Sequence, residues 1–479
     1  MEARTKIDSV IAVDLDGTVT LTDTLHESAL CLLRNQPINV LALPFWLLGG
    51  KAALKAKVAE NVNLDVTTLP YNNALIEWLK EERVAGKRIV LCTAADERVA
   101  QAIADSLGLF DEVLASDGTT NNAGINKRAA LEAKYGTKGY DYAGNSAADI
   151  AVWAGARHAI VVNASDAITK QAAQVATVSK VFPPQAVTLS DCLKMLRVHQ
   201  YLKNLLLFVP LFAAHQISNV QSLSTLILAF VSFSLCASAV YMANDLLDLE
   251  SDRKHPRKRH RPFACAAVPI KVGVVLAPLF AVASLLLGLV VGAAFTAWLV
   301  VYFSLTCAYS LWLKRLALID CLTLAALYTL RIIAGAAAVA ITLSFWLLAF
   351  SVFIFLSLAF VKRYAELQVQ ADAGNSHAQG RGYAVTDAPL IQTLGITAGY
   401  AAVLVLALYL HGETVVQLYK TPFLIWFAVL TLLFWISWVW MKAHRGEMHD
   451  DPIVFAIKDK ASLFAAALTA ASFVLASIF

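Results

Sequence analysis

The chain has 479 residues, 58% of them hydrophobic and 15% charged, with a mean hydropathy of +0.61. That excludes an ordinary soluble protein of this length and, with a net charge of only +4, gives no reason to expect a nucleic-acid partner. The seven cysteines are scattered without a C-x-x-C pair and read as small apolar packing residues, not as a disulfide framework or zinc site.

Met1 to Asp8 is charged and lacks the apolar core of a signal peptide, so the N-terminal region is expected in the cytoplasm. Up to about Ser190 charged and apolar residues are mixed as in a globular domain; from Leu202 onward apolar runs alternate with short polar stretches. We expect a soluble domain over 1–182, a linker over 183–193 marked by Phe182-Pro183-Pro184, and a polytopic membrane domain over 194–479.

In the soluble part, Val10-Ile11-Ala12-Val13 has the pattern of a short buried strand and ends at Asp14-Leu15-Asp16-Gly17-Thr18. Asp14 and Asp16, two apart in extended chain, can point the same way. Arg88 to Cys92 predicts a second strand ending at Thr93, Lys127 follows, and Tyr140 to Ala143 leads into Gly144-Asn145-Ser146-Ala147-Ala148-Asp149. Helical patterns over Ala74 to Val84 and Glu97 to Leu107 separate these strands. The alternation predicts a parallel α/β sheet with its site at the carboxyl ends of the strands.

These four stations resemble the haloacid dehalogenase-like phosphatases, over about residues 7–180. The resemblance implies Asp14 as the nucleophile that forms an aspartyl-phosphate and Asp16 as the acid/base for the leaving group. It implies Thr93 and Lys127 as partners of the phosphoryl oxygens, with Asp14, Asp16, Asn145 and Asp149 around Mg²⁺. The chain departs at Asn145, where the usual G-D-x-x-x-D motif has an acid, so a domain of reduced activity retained for assembly stays open. Between the first two stations lies room for an inserted helical cap, about residues 24–75. Within it Ile38 to Gly50, with Leu43-Pro44-Phe45-Trp46-Leu47-Leu48 and then Lys51, Lys55 and Lys57, reads either as an interfacial helix or as a buried cap core.

In the membrane part nine spans are predicted, over 202–217, 223–243, 271–292, 295–313, 317–340, 345–361, 390–410, 421–441 and 462–478; the first is short and interrupted by Pro210. Basic residues concentrate in alternate loops: Arg253 to Arg261, Lys314-Arg315, Lys362-Arg363, and Lys442 to Lys460. The positive-inside rule places those loops in the cytoplasm, as in an inner-membrane protein.

Asn244, Asp245, Asp248 and Asp252 close the second predicted span and would share about 100° of arc on a continuous helix. Such an oxygen-rich cluster suits Mg²⁺ and substrate phosphates; the alternative is an acidic helix end neutralised by the basic loop that follows. Asn244-Asp245-Leu246-Leu247-Asp248-Leu249-Glu250-Ser251-Asp252 matches the N-D-x-x-D-x-x-x-D motif, and here the chain resembles the UbiA superfamily of intramembrane prenyltransferases. The second acidic motif of its aromatic prenyltransferases is missing: Asp320 is present, but Leu316 and Leu324 flank it four residues away. Basic residues stand around it instead, among them Lys203, Lys314, Arg315, Arg331, Lys362 and Arg363, and direct contact with additional phosphates is what cations suit. Arg331, inside a span, is expected to face a polar cavity or to pair with Asp320.

The resemblance is closer to the decaprenyl-phosphate phosphoribose synthases, carried by Tyr201-Leu202-Lys203-Asn204, Tyr241 to Pro262, Tyr309 to Arg315, Asp320 with Arg331, Lys362-Arg363-Tyr364-Ala365-Glu366 and Asp451-Pro452. It implies transfer of 5-phosphoribose from phosphoribosyl pyrophosphate to a polyprenyl phosphate. Asp245 and Asp248 would be catalytic, and Asn244, Asp245, Asp248 and Asp252 would hold Mg²⁺. Lys203, Asn204, Lys314, Arg315, Asp320, Arg331, Lys362, Arg363 and Tyr364 would bind substrate. The fused phosphatase would then remove the 5-phosphate. The rival reading is an aromatic prenyltransferase with a regulatory or scaffolding N-terminal domain, and a homo-oligomer is left open.

Overall fold

A computed structural model describes residues 9–377, 381–410, 412, 418–448 and 451–479. It comprises two compact units, one built from the chain up to Arg197 together with Tyr241–Ala277, the other from Val198–Val240 and Pro278–Phe479.

The first unit holds a six-stranded parallel sheet of β1 (Val10–Val13), β2 (Arg88–Asp96), β3 (Glu112–Ser116), β4 (Tyr140–Gly144), β5 (His158–Val162) and β6 (Thr177–Phe182) in the order β3-β2-β1-β4-β5-β6. All four residues of β1 are buried because both faces of the sheet are covered. Ile11 and Val13 pack with Leu75, Leu79 and Ile103, whereas Val10 and Ala12 pack with Tyr140, Tyr142 and Trp153. That two-residue alternation is what a strand imposes. Helices α1 (Thr24–Asn35), α2 (Leu43–Leu48), α3 (Lys51–Asn61) and α4 (Asn73–Val84) lie between β1 and β2, and α5 (Glu97–Leu107) and α6 (Ile125–Tyr135) follow. β1, α4 and α5 form where the apolar periodicity predicts them, and β2 runs four residues past its predicted end, to Asp96 rather than Cys92.

The described residues contain eight helices long and apolar enough to cross a membrane: Val220–Leu247, Ile270–Val291, Ala293–Leu311, Ile319–Ala338, Phe345–Asp372, Val385–Tyr409, Pro422–His444 and Lys460–Ile478. The first predicted span, 202–217, is instead a 3-10 helix, Val198–Phe208, followed by the short helix Val209–Ala213, with Pro210 in its first turn. This segment packs closely on the fourth long helix, where a Cβ on Gly335 would fall 2.0 Å from the Leu207 carbonyl oxygen. In the second unit Phe355, Leu358, Val361, Ile436 and Trp440 form one core, and Phe233, Phe295, Leu299 and Leu330 another. Val275, Leu279, Val282, Leu286 and Leu289 of the second helix are exposed, as side chains that meet lipid are.

Candidate active sites

The soluble site sits where three strands end side by side. Val13 pairs with Leu91 on one side and Ala143 on the other, so Asp14, Thr93 and Gly144 share one edge of the sheet. The Asp14 amide donates to the Ala143 carbonyl at 2.9 Å. From α6, Lys127 Nζ reaches Asp14 Oδ1 at 2.7 Å, the Tyr142 hydroxyl at 2.8 Å and Asp149 Oδ1 at 3.7 Å. Thr93 is buried, its hydroxyl accepting from the Ala95 amide at 3.0 Å. The turn after Asp16 needs a glycine: Gly17 has φ +75°, and a Cβ there would fall 2.0 Å from Asn145 Nδ2. Asn145 Nδ2 in turn donates to the Asp16 carbonyl at 3.1 Å.

Burial pushes Asp14 up to about 6, against the attraction of Lys127. Burial, with repulsion from Asp23, pushes Asp16 up to about 7. Burial opposes charge on Lys127 as well, but Asp14 and Asp149 outweigh it and its pKa is raised. Burial thus raises both carboxyls above the ordinary range, Asp14 against the pull of Lys127 and Asp16 with the added push of Asp23. Asp149, expected as an oxygen donor to a metal, has both oxygens engaged: Oδ2 accepts from the amides of Asn145 and Ser146 and the Ser146 hydroxyl, and Oδ1 from Tyr142. Tyr142, which links Lys127 to Asp149, was not singled out from sequence; its place two residues before Gly144 on a buried strand is the signal that would have found it.

The span-end acidic cluster also belongs to the first unit. The helix does not run through it as expected: it stops at Leu247, Asp248 takes φ −101° and ψ 13°, and a new helix, Leu249–Lys254, starts. The break follows the run of carboxylates, whose repulsion disfavours stacking on one helical face. Asp245 and Asp252 are buried, and Arg261 Nη1 bridges them at 3.0 Å and 2.6 Å. Arg197, at φ 52°, also pairs with Asp245. The two carboxylates are thus neutralised from the basic loop that follows, as the alternative reading of the motif has it, and Arg197 is a further partner that the motif does not reveal.

In the second unit, Arg331 is buried in the fourth long helix and does not pair with Asp320. It donates to Asn204 Oδ1 at 3.0 Å, the Leu327 carbonyl at 2.6 Å and the Tyr302 hydroxyl at 2.8 Å. Its guanidinium lies over the rings of Tyr302 and Tyr328 at 4.8 and 5.6 Å. Lys203 Nζ is 2.6 Å from Asp451 and 5.5 Å from the centre of the Tyr328 ring, so Tyr328 joins Lys203 to Arg331. Lys362 also reaches Asp451, at 3.8 Å. Asp320 is fully enclosed, held by Arg363, Tyr383 and, at 3.5 Å, Arg381. Arg363 is equally enclosed, between Asp320 and Glu366. Tyr364 is engaged with His444 and Gln368 at 3.1 and 2.8 Å, Lys314 is half-buried and Arg315 is exposed. Tyr302, Asp451, Arg381 and Tyr383 complete these networks without having been assigned roles from sequence.

A bundle of apolar helices with buried charges, and an acidic motif at the end of one span, joined to a parallel sheet with paired aspartates at its edge, define a multi-pass membrane transferase carrying a phosphohydrolase-type domain. The chain matches the UbiA prenyltransferase family over residues 205–466 and the haloacid dehalogenase-like hydrolases over 11–153, and it belongs to the UbiA prenyltransferase family. It is 35% identical over 469 residues to the uncharacterized protein y4nM of Sinorhizobium fredii, covering 97% of this chain and 90% of that one. It is 35% identical over 223 residues to a decaprenyl-phosphate phosphoribosyltransferase of Mycobacterium tuberculosis, covering 46% and 74% of the two chains. A solved UbiA homolog from Archaeoglobus fulgidus, bound to GPP and Mg²⁺, is similar with a TM-score of 0.44 and 14% identity, over 59% of this chain and 99% of that one.

The oxygen donors fit a hard divalent cation. Asp245 and Asp252 already converge on the positive Arg261, and the buried Asp14 and half-buried Asp16 stand two residues apart at the sheet edge. Among the described residues no three His, Cys, Asp or Glu side chains form a ready-made ligand set, so a cation here would share its shell with substrate oxygens or water.

Proposed function

We propose that the membrane half transfers 5-phosphoribose from phosphoribosyl pyrophosphate to a polyprenyl phosphate, and that the soluble half removes the 5-phosphate to give polyprenylphosphoryl ribose. The observation that carries the reading is Arg331: a guanidinium buried at a span with an amide, a phenol and a carbonyl as its partners and, among the described residues, no carboxylate. A cation in that setting is costly until an anion meets it, and a phosphate is the anion that a planar guanidinium suits. Lys203 and Lys362 both reach the carboxylate of Asp451 in the same unit. Asn204 orients Arg331 and is itself fixed by Ser234 at 3.0 Å.

In the transfer, a lipid phosphate oxygen attacks C1 of the ribose and the C1–O bond to pyrophosphate breaks, the electron pair leaving with pyrophosphate. Mg²⁺ held by Asn244, Asp245, Asp248 and Asp252 would supply charge stabilisation for that leaving group. In the soluble half, an Asp14 oxygen attacks phosphorus and the ester oxygen leaves, taking its proton from Asp16. Water then hydrolyses the aspartyl-phosphate, with Asp16 now accepting the proton; Lys127 holds Asp14 in place, with Thr93 beside it at the sheet edge. Mg²⁺ at Asp14, Asp16 and Asn145 would neutralise phosphoryl oxygens. The rival aromatic prenyl transfer is disfavoured because Asp320, all that remains of a second acidic motif, is enclosed by Arg363, Arg381 and Tyr383.

We place the soluble domain on the cytoplasmic side. Glu27 of α1 pairs with Arg253 at 2.6 and 3.2 Å, which puts the domain on the same side as the basic 253–261 loop. An even number of crossings must then separate them, and Val220–Leu247 supplies one. Val198–Ala213, although not among the eight long apolar helices, would supply the other, its 3-10 and α turns adding up to about 30 Å if laid end to end.

The test is mass spectrometry of lipid products from purified protein with Mg²⁺, polyprenyl phosphate and phosphoribosyl pyrophosphate, comparing wild type with Asp14→Asn. Phosphoribosyl lipid accumulates in the variant and its dephosphorylated form in wild type. No phosphoribosyl lipid from either folded protein would sink the reading.

A further inference from the structure

The cap of the soluble domain exposes a row of large apolar side chains that no described residue covers. Ile38, Leu41, Phe45 and Leu48 are 80%, 74%, 72% and 86% exposed. Their spacing of three, four and three residues returns a helical chain to one face. This settles the two readings of the segment: Pro37–Leu48 is not the core of the cap. Exposed Arg34 precedes the row and exposed Lys51 follows it, flanking cations of the kind that meet anionic headgroups.

What lies on either side of the segment says what it meets. Before it, α1 is tied to the end of the first membrane helix: Glu27 is buried against Arg253, six residues after that helix ends at Leu247. From Glu27 to Asn35 is about 12 Å of helix, so the apolar row starts a short distance from a span end. After it, α3 turns inward, and Lys55 Nζ reaches the Ala94 carbonyl at 2.5 Å and Asn121 Oδ1 at 3.4 Å, next to Thr93. The start of α1 also touches the site, the Thr24 amide donating to Asp16 Oδ1 at 2.8 Å. α1 therefore joins the apolar row at its C-terminal end and reaches Asp16 at its start, while α3, which follows the row, brings Lys55 beside Thr93.

We propose that Pro37–Leu48 inserts into the headgroup layer of the bilayer and that the phosphatase site takes a lipid-linked phosphoester from the membrane surface. The substrate class rests on the phosphatase reading above; the insertion does not. Phe45 and Leu48 enter the lipid, Arg34 and Lys51 stay at the headgroups, and the phosphate is brought in between α1 and α3, past Lys55.

The experiment uses full-length protein in lipid nanodiscs, with Phe45→p-benzoylphenylalanine, Leu48→p-benzoylphenylalanine or, as a control, Val84→p-benzoylphenylalanine, a site 90% exposed on the same domain. Irradiation gives lipid adducts at 45 and 48 and none at 84. Adducts to a second copy or to another protein segment, or no lipid adduct at 45 and 48, overturn the insertion. In parallel, a Phe45→Asp, Leu48→Asp double variant raises the KM for a bilayer-borne lipid phosphate about tenfold, with p-nitrophenyl phosphate hydrolysis unchanged. An equal loss on both substrates, or no loss on the lipid, overturns the delivery of a lipid-linked substrate. Should wild type hydrolyse neither compound, the phosphatase reading fails, while the adducts still decide the insertion.

Discussion

Lys127 of the soluble domain and Arg331 of the fourth span are both buried cations, and the protein neutralises them in opposite ways. Lys127 has Asp14 at 2.7 Å and Asp149 at 3.7 Å, so its charge is answered before any substrate arrives. Arg331 has neutral partners, and its positive charge is left for a ligand. On the function proposed above, the first arrangement positions a nucleophile and the second waits for an anion. A third buried cation, Arg363, resembles Lys127 in being paired, with Asp320 and Glu366, but it is wholly enclosed and serves as a brace.

Substitution breaks this comparison most sharply at Asp14. Asp14→Asn keeps the shape and removes the nucleophile, so phosphate release falls about 10³-fold or more while phosphoribosyl transfer persists, as read by product mass spectrometry. Arg363→Met comes next. It leaves the Asp320 carboxylate with its principal cation gone in a fully enclosed site, and costs about 3–5 kcal/mol, read as loss of folded protein on thermal unfolding in detergent. Arg331→Met orphans no acid and therefore unfolds within a few degrees of wild type. Yet transfer drops about 100-fold, mostly in apparent affinity for a phosphorylated substrate. If Arg331→Met destabilised as much as Arg363→Met, the distinction between a waiting charge and a brace would be wrong.

The same contrast explains which features can be read along the chain. Asp14, Thr93 and Gly144 each close an apolar run, and strand ends in a parallel sheet gather at one edge, so their meeting follows from local pattern. β6 carries no such run: none of its six residues is buried, and Ser179, Lys180 and Val181 are exposed in succession, so no apolar pattern marks it. In the bundle, partners are chosen by helix packing between distant segments. Asp320 looks toward Arg331 in sequence but meets Arg363, 43 residues away, and Arg381, 61 away. Lys203 finds Asp451 across 248 residues. No periodicity reports such pairings. The acidic motif was legible as composition, and its neutralisation from the basic loop, which Arg261 carries out, was one of the two readings it allowed; the break at Asp248 and the pairing with Arg197 were not.

The smallest expected effect is a slope with pH, and it separates the two kinds of site by their answer to Mg²⁺. Burial raises Asp14 to about 6 and Asp16 to about 7 from an ordinary 3.8, so the folded domain binds protons more tightly than the unfolded chain. Stability from this source is fully present below about pH 4 and is lost as pH rises through 6 to 7, since the unfolded chain gives up its protons first. In EDTA, the melting temperature of the soluble-domain transition falls by a few degrees between pH 5 and pH 8. Added Mg²⁺ opposes the fall, because a cation at these carboxylates favours their ionised form. Asp14→Asn with Asp16→Asn removes both the slope and the response to Mg²⁺. A slope that survives this double change belongs to other groups, and the two aspartates are then not raised by burial as the proposed division into acid and nucleophile uses them.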